Sequence, residues 1–312
     1  MQRLELAYKV NGLEVPDIHP WHLKASYEVQ DPEGKPQDKG TFEEWWAGPK
    51  RFKVIYHGQD FSRTEYGTEK GIFREGNTQS PPYLLEMLHS TIGQPLPSPS
   101  RINPRDVEVK DLERQIGPLR LQCASVRGKK QKQDKQQPDL YCFESSKAVL
   151  RYTKSRGDIE QVVFNNESTF SGRYVAKEFV LFLLGQPALS VHIDTLEPVN
   201  SNDPAFAAVP ADAVLAEELA PISGPVTGPR LVSKVFPQYP LDAKAMGIQG
   251  TVVMTGRITT DGRVTNIQAL SGPKRLRAAA VDAVRQWRYT PALADGEPVE
   301  VDTFLNVIFT LR

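Results

Sequence analysis

Apolar and polar residues alternate along the first two thirds of the chain. Between His19 and Gln30 every second residue is apolar, which is the pattern of a half-buried strand. Nine further segments are strand-like and separated by turn residues; they cover 41–47, 51–57, 62–66, 119–124, 141–144, 148–153, 161–165, 174–184 and 190–197. About ten strands at hairpin spacing predict one large antiparallel sheet over residues 12–198.

One segment inside this region has helical spacing instead. Leu84, Leu85, Leu88 and Ile92 recur at intervals of one, three and four residues, and a pair of prolines stands just before them. This spacing predicts a short amphipathic helix over residues 82–92. A helix lying across the concave face of the sheet is the expected arrangement.

The composition changes after residue 198. Residues 199–228 are rich in Ala and Pro and show little periodicity, so they predict a partly extended linker. The chain is therefore divided into a β-rich domain at 12–198, a linker at 199–228 and a C-terminal domain at 229–312.

Clear periodicity returns in the C-terminal domain. The sequence predicts a helix over 241–246, a hairpin around Asp261-Gly262 with both residues at positive φ, and a helix whose apolar stripe ends at Trp287. Residues 299–311 form one long final strand. This order predicts a three-stranded antiparallel sheet covered by one main helix, so the fold class of the whole chain is α+β.

Charge and motifs narrow the function. The 312 residues contain 38 Lys and Arg against 38 Asp and Glu, which gives no reason to expect a nucleic acid as partner. The longest apolar run, 179–184, is far shorter than the about 20 residues of a membrane span, and no signal peptide is visible. Nucleotide-binding and hydrolase motifs are absent, and His19 and His22 would point to opposite faces of a strand. We therefore predict a protein that is not an enzyme and has neither cofactor nor metal site.

Cys123 and Cys142 lie in two strand-like segments joined by a polar loop. Antiparallel pairing around that loop places them roughly opposite each other, where a disulfide would contribute about 3 kcal/mol. Two buried thiols that never meet are the alternative. The disulfide requires an oxidising compartment.

The C-terminal domain resembles the TonB C-terminal domain. The resemblance is carried by Pro237-x-Tyr239-Pro240, Ala243 with Gly247-x-x-Gly250, Asp261-Gly262, the helix centre 279–283, Trp287-Arg-Tyr-x-Pro291 and the closing strand. It implies a periplasmic protein that receives a short peptide, the TonB box, from an outer-membrane transporter as an added strand. The membrane helix and the long Pro-rich spacer of the energy transducers are not seen in these residues, although a precursor could carry a signal peptide or anchor before Met1.

The final strand is the edge to which the resemblance assigns the peptide. An edge strand offers unpaired backbone groups, which is the physical requirement for strand addition. A homodimer formed through this edge is an alternative, as is an edge covered by the first domain or by the linker. The residues predicted to contact the partner are Tyr239, Pro240, Val299, Val301, Thr303, Leu305, Val307 and Phe309.

The N-terminal domain resembles the LolA/LolB-like half-barrel of periplasmic lipoprotein carriers. The resemblance is carried by residues 40–47, Pro49-x-x-Phe52, the helix at 81–92, Tyr141-Cys-Phe143 and Leu150-Arg-Tyr152. It implies an apolar cavity for acyl chains, and a lipid or lipoprotein carrier is the alternative function. Simple filling of the protein core is the competing interpretation for each candidate residue. The cavity candidates are Trp21, Phe42, Trp45, Trp46, Phe52, Tyr56, Leu84 and Leu88.

Overall fold

The computed structural model divides the chain into two compact units, Met1–Ala216 and Glu217–Arg312. The residues that the structure describes are 2–15, 18–31, 34–59, 61–77, 81–99, 102, 105, 107–129, 137–206, 209–216, 226–294 and 296–311. None of the helices formed by these residues has the length and apolar character needed to cross a lipid bilayer.

The first unit is built on one antiparallel sheet of thirteen strands. In chain order these strands are β1 Trp21–Gln30, β2 Pro36–Trp46, β3 Phe52–His57, β4 Ser62–Thr68, β5 Gly71–Gly76, β6 Val107–Ile116, β7 Leu119–Gly128, β8 Asp139–Phe143, β9 Leu150–Ser155, β10 Glu160–Phe170, β11 Arg173–Leu183, β12 Gln186–Pro198 and β13 Val214–Leu215. The order across the sheet is β13-β5-β4-β3-β2-β1-β12-β11-β10-β9-β8-β7-β6. Two meanders therefore meet where β1 pairs with β12.

The predicted large sheet and its helix are confirmed. The helix, α2 Tyr83–Gly93, lies on the sheet face that carries Phe42, because the ring of His89 is 5.4 Å from the ring of Phe42. Three strands are additional to the prediction: β5, β6 and the two-residue β13. The strand β6 forms an edge and none of its residues is buried, so it lacks the apolar alternation that a half-buried strand shows.

A further helix, α1 Gln2–Val10, was also not predicted. It buries Leu4 and Ala7, which stand three residues apart on one helix face. Its last carbonyl groups are held by a distant side chain: the guanidinium of Arg173 donates hydrogen bonds to the backbone oxygens of Tyr8, Lys9, Asn11 and Gly12. Arg173 thus supplies the partners that a helix C-terminus lacks within itself.

The predicted linker is only partly separate from the sheets. The strand β13 comes from its middle and pairs with β5, while residues 217–225 lie outside the described residues. Cys123 and Cys142 are directly opposite each other on β7 and β8 and are joined by a disulfide. This bridge packs with Leu121, Leu140 and Tyr152 in a small cluster of its own.

The described residues of the second unit form two helices and short sheets around an apolar core. Its elements are β14 Val226–Thr227, β15 Leu231–Ser233, α3 Leu241–Ala245, β16 Gly250–Ile258, β17 Val264–Ser271, α4 Lys274–Val284, β18 Arg288–Tyr289, β19 Ala292–Ala294, β20 Glu297–Val299 and β21 Val301–Phe309. The main sheet has the order β17-β16-β21. Its core, which includes Leu276 and Val284 of α4 and Trp287 just after that helix, confirms the predicted helix-on-sheet packing.

Two details of the second unit differ from the prediction. The final strand is not continuous, because it breaks at Glu300 and Val299 pairs with Ala292 in a separate small sheet. In the hairpin, Gly262 has φ +76° but Asp261 is not at positive φ. The turn therefore has a single left-handed residue instead of two, and the amide of Gly262 donates to the oxygen of Thr259 at 2.8 Å.

Candidate functional site

The main sheet of the second unit presents β21 as an edge strand. Among the strands that the structure describes, β21 pairs only with β16, from Val301 opposite Ile258 to Phe309 opposite Gly250. The strand is nine residues long, so its outer side offers a row of backbone groups to a further strand. This edge is the candidate site.

Alternation gives the two faces of β21 different roles. Leu305, Val307 and Phe309 are at most 3% exposed and belong to the core beneath α4. Ile308, which points to the other face, is 67% exposed. The side chains of these three predicted contact residues are therefore engaged inside the unit, and only their backbone can take part in the edge.

The remaining predicted contact residues occupy several positions. Val301 and Thr303 are partly buried in β21. Val299 lies outside the edge strand, as described above, so the structure does not bring it together with the others. Pro240 precedes α3 as its N-cap residue.

Tyr239 supports the edge from within. Its hydroxyl donates a hydrogen bond to the backbone oxygen of Ile248, and its ring meets Phe309 edge-to-face at 5.4 Å. Both contacts hold the end of β21 against the loop that precedes β16. Tyr239 therefore acts on the edge strand indirectly in this structure.

One ion pair joins the edge strand to its neighbour. The guanidinium of Arg257 on β16 binds both carboxylate oxygens of Asp302 on β21, at 3.0 and 2.9 Å. The two residues are directly opposite in the register. A bidentate pair at this position favours the observed alignment of the two strands.

Most of the predicted cavity residues of the first unit fill its core. Trp21, Phe42, Trp46, Tyr56 and Leu88 are at most 7% exposed. The four aromatic rings among them pack in pairs, with 6.4 Å between Trp21 and Trp46 and 5.4 Å between Phe42 and Tyr56. Such spacing is usual for aromatic pairs in protein cores.

The other three candidates differ among themselves. Phe52 stacks on Trp46 at 5.9 Å and is partly buried. Leu84 is also partly buried, on α2. Trp45 lies on the opposite face of the sheet, where it stacks on His22 at 4.2 Å, so it cannot share a cavity with Phe42. Strict alternation along β2 is the reason.

A cavity of about 380 Å³ does exist in the first unit, but none of the eight candidates lines it. Its wall includes Met87 of α2, Leu96 of the following loop, and Glu160, Val162 and Phe164 of β10. Sequence reasoning missed it because a loop of irregular structure forms one side. The alternation of apolar residues along β10 was the one available signal.

Glu160 is an ionisable residue in the wall of this cavity. Burial raises the pKa of its carboxyl to about 7. The hydroxyls of Tyr83 and Ser155 donate hydrogen bonds to it, and the Nε of Arg156 lies 3.0 Å away. The Arg156 side chain is 48% exposed, so water weakens its attraction for the carboxylate, and burial of Glu160 has the larger effect.

Comparison with known proteins agrees with the C-terminal resemblance. Residues 236–311 match the family model described as Gram-negative bacterial TonB protein C-terminal. Protein TonB of Escherichia coli (strain K12) is 39% identical over 94 residues, which cover 30% of this chain and 37% of that protein. Protein TonB of Salmonella typhimurium is 32% identical over 129 residues, covering 41% and 51%. The chain thus spans between about a third and a half of the length of these relatives, and the predicted TonB resemblance of the last domain is confirmed.

Two solved structures are also similar. The solution NMR structure of the Pseudomonas aeruginosa TonB CTD is 28% identical, covers 27% of this chain and 86% of its own, and has a TM-score of 0.24. A LolA superfamily protein from Nitrosomonas europaea is 12% identical, covers 66% of this chain and 96% of its own, and has a TM-score of 0.43.

Proposed function

We propose, from a last domain that matches the TonB C-terminal family, that this protein is a non-enzymatic periplasmic protein that docks a peptide of an outer-membrane transporter. The peptide adds as a fourth strand beside β21. The observation that carries the proposal is the position of β21 at the edge of its sheet, with its backbone paired on one side among the described strands.

The energetics favour a weak and reversible complex. Each main-chain hydrogen bond contributes about 0.5 to 1.5 kcal/mol net, so four or five bonds contribute roughly 2 to 7 kcal/mol. Dissociation constants in the millimolar to micromolar range correspond to about 4 to 8 kcal/mol. Binding of this strength suits a contact that must form and release repeatedly.

Side chains on the outward face give the docked peptide its preference. Ile308 offers an exposed apolar surface, and Asn306 is exposed two residues before it on the same face. A partner strand places alternate side chains on this face, beside Ile308 and Asn306. A peptide with an apolar residue beside Ile308 fits this edge best.

Backbone amide chemical shifts of the full chain test the docking. Titration with an extended TonB-box peptide should shift the amides of β21 more than those of β17, the other edge. The control peptide has the same sequence with N-methyl groups at alternate amides, which removes the hydrogen bonds of one side. Equal binding of both peptides, or shifts confined to β17, would contradict docking by strand addition at β21.

A second candidate function uses the cavity of the first unit. A volume of about 380 Å³ is at the lower end of small-molecule sites, which span about 300 to 1,000 Å³. The mixed wall of Phe164, Val162 and Glu160 fits an acyl chain with a polar end, and this supports a lipid carrier as the alternative.

Displacement of a fluorescent fatty acid measures that activity. Val162→Trp fills the cavity and should abolish displacement, whereas Thr169→Trp, exposed on the same strand, should leave it unchanged. Identical behaviour of the two variants would remove the cavity from consideration.

A further inference from the structure

Three side chains that commonly bind metals meet inside the first unit, and none of them lines the cavity or belongs to the β21 edge. Glu14, Glu44 and His89 each place a ligand atom within 4.8 Å of those of the other two. The Nε2 atom of His89 is 3.2 Å from Oε1 of Glu14 and 3.5 Å from Oε1 of Glu44. They come from three separate parts of the chain: the segment after α1, β2 and α2.

The backbone holds this group together. The amide of Glu14 donates to the oxygen of Gly93 at 3.1 Å, and Gly93 lies one helical turn after His89 on the same face of α2. A Cβ atom at position 93 would come within 1.8 Å of Oε1 of Glu14. Glycine at this position is therefore what allows the Glu14 carboxylate to reach His89.

Glu44 points into this group without a hydrogen-bond partner. Its side chain is 0% exposed, and neither carboxylate oxygen makes a hydrogen bond; the Nε2 of His89 also makes none. Buried polar atoms are nearly always paired, since leaving them unpaired is costly. Two oxygens and one nitrogen directed at the same point are the arrangement that a cation would complete.

Tyr56 fixes the imidazole of His89 in a suitable orientation. The Tyr56 hydroxyl lies 3.2 Å from Nδ1 of His89. When Nδ1–H donates to this hydroxyl, Nε2 carries the lone pair and faces the two carboxylates. An outer-shell partner of this kind is the rule for histidines that bind metals.

We propose that Glu14, Glu44 and His89 bind one divalent first-row transition cation, for which Zn²⁺ is the experimental probe, with Tyr56 as a positioning residue. The donor spacings of 3.2 and 3.5 Å match the roughly 3.3 Å between donors that lie about 2.0 to 2.1 Å from a tetrahedral metal. One imidazole with two carboxylates suits zinc, and also manganese or iron. The side chains of Glu14 and His89 are 21% and 26% exposed, so the group lies close to the surface of the first unit.

The bound cation would connect the segment after α1, the helix α2 and the strand β2 through one point. It would thereby fix α2 on the sheet beside the rings of Phe42 and Tyr56. This proposal concerns the first unit alone and does not depend on peptide docking.

Zinc binding to the full chain, stripped of metal with a chelator, tests the proposal by calorimetry and by native mass spectrometry. We expect one Zn²⁺ per chain, and visible absorption bands of a low-coordinate site when Co²⁺ is used instead. Glu44→Gln and His89→Gln should each weaken Zn²⁺ binding by more than about 100-fold, beyond the 10- to 100-fold typical of outer-shell changes.

His192→Gln is the matched control. His192 also lies between two carboxylates, 3.4 Å from Glu178 and 4.0 Å from Asp194, but its side chain is 54% exposed. Its substitution should leave Zn²⁺ binding unchanged. If His89→Gln does not fold, Tyr56→Phe replaces it, with an expected loss of about 10-fold. Absence of one-to-one binding, or equal binding by wild type, Glu44→Gln and Tyr56→Phe, would overturn the proposal and leave a buried proton shared between Glu44 and His89 as the explanation.

Discussion

The two units of this protein differ in how many polar side chains they bury. Among the described residues, the buried polar or charged side chains of the first unit are Asn11, His22, Glu44, Arg63, Glu65, Thr91, Ser125, Thr153 and Glu160, whereas the second unit buries only Thr255. The core of the second unit consists of apolar residues. Polar and ionisable side chains that could bind a ligand therefore lie inside the first unit, whereas in the second unit they lie at the surface.

The difference matters because burying polar or ionised groups costs free energy. Removing an ionised group from water is unfavourable unless it is paired, and Arg63 with Glu65 at 2.6 Å is such a pair inside the first unit. Glu44 and Glu160 are less well compensated, and burial raises the pKa of each carboxyl above its ordinary value. A sheet that needed only stability would be better served by apolar residues at these positions.

The largest effect is expected from removing a large side chain from the apolar core of the second unit. Trp287 is 3% exposed, and its indole N–H donates to the oxygen of Val235 at 2.8 Å. Trp287→Ala should reduce the free energy of unfolding of the second unit by about 3 to 5 kcal/mol. Hydrogen exchange resolved by residue measures each unit separately, and the first unit should keep its protection.

Phe236→Ala serves as the control for that experiment. Phe236 is 79% exposed, so its loss should change stability by less than about 0.5 kcal/mol. A loss of protection in both units with Trp287→Ala would mean that they do not unfold separately.

Glu160 should make the stability of the first unit depend on pH. Its folded pKa of about 7 is above its ordinary value of 4.5, so the folded state binds the extra proton between these values. This protonation contributes roughly 3 kcal/mol to the free energy of unfolding. The contribution is fully present below about pH 4.5 and is lost as the pH rises through 7. Glu160→Gln should remove this part of the pH dependence, as measured by urea unfolding at pH 5 and pH 8.

Other groups titrate in the same range, so the difference between variant and wild type is the quantity to compare. Glu178→Gln, on an exposed side chain of β11, should retain the wild-type pH dependence. A Glu160→Gln profile parallel to wild type would show that the folded carboxyl titrates normally.

The disulfide should stabilise the first unit alone. The bridge closes a loop with a sequence separation of 19, for which loop-closure entropy gives about 3 kcal/mol. Cys123→Ala combined with Cys142→Ala should lower the thermal unfolding midpoint of the first unit. Dithiothreitol should produce the same shift in the wild type and none in the double variant.

The smallest effect is expected at the rim of the second unit. Asp302 is 48% exposed, so its pair with Arg257 should contribute about 0.2 to 1 kcal/mol. Asp302→Asn should cost this amount at low salt, and 1 M NaCl should reduce the difference. A cost above about 2 kcal/mol would show that β21 depends on this pair for its register.

Sequence patterns predicted the second unit closely because local and tertiary signals coincide there. The stripe that includes Leu276 and Trp287 repeats at helical spacing and is the stripe that becomes buried. The turn was described less well, because Asp-Gly fits more than one hairpin type. At Gly262 a Cβ would lie 1.9 Å from the oxygen of Tyr289, a distant contact that also requires glycine and that no local pattern shows.

The interior of the first unit could not be predicted in the same way. Alternation along β2 places Glu43 and Glu44 on opposite faces of the sheet. It could not show that Glu14 and His89 arrive beside Glu44, because those residues are 30 and 45 positions away and are brought there by a loop and a helix. Apolar periodicity records which side is buried, and it contains no information about which distant polar groups meet there.

The pairing of β1 with β12 has a consequence for folding during biosynthesis. Trp21 pairs with Pro198, so the strand made first must wait for more than 150 further residues before its second neighbour exists. Until β12 is made, β1 is an edge strand whose backbone groups are unpaired on one side. Contacts so distant in sequence form slowly, and nascent edges of this kind invite association with other chains. We therefore expect the folding of the first unit to benefit from protection of this edge during synthesis.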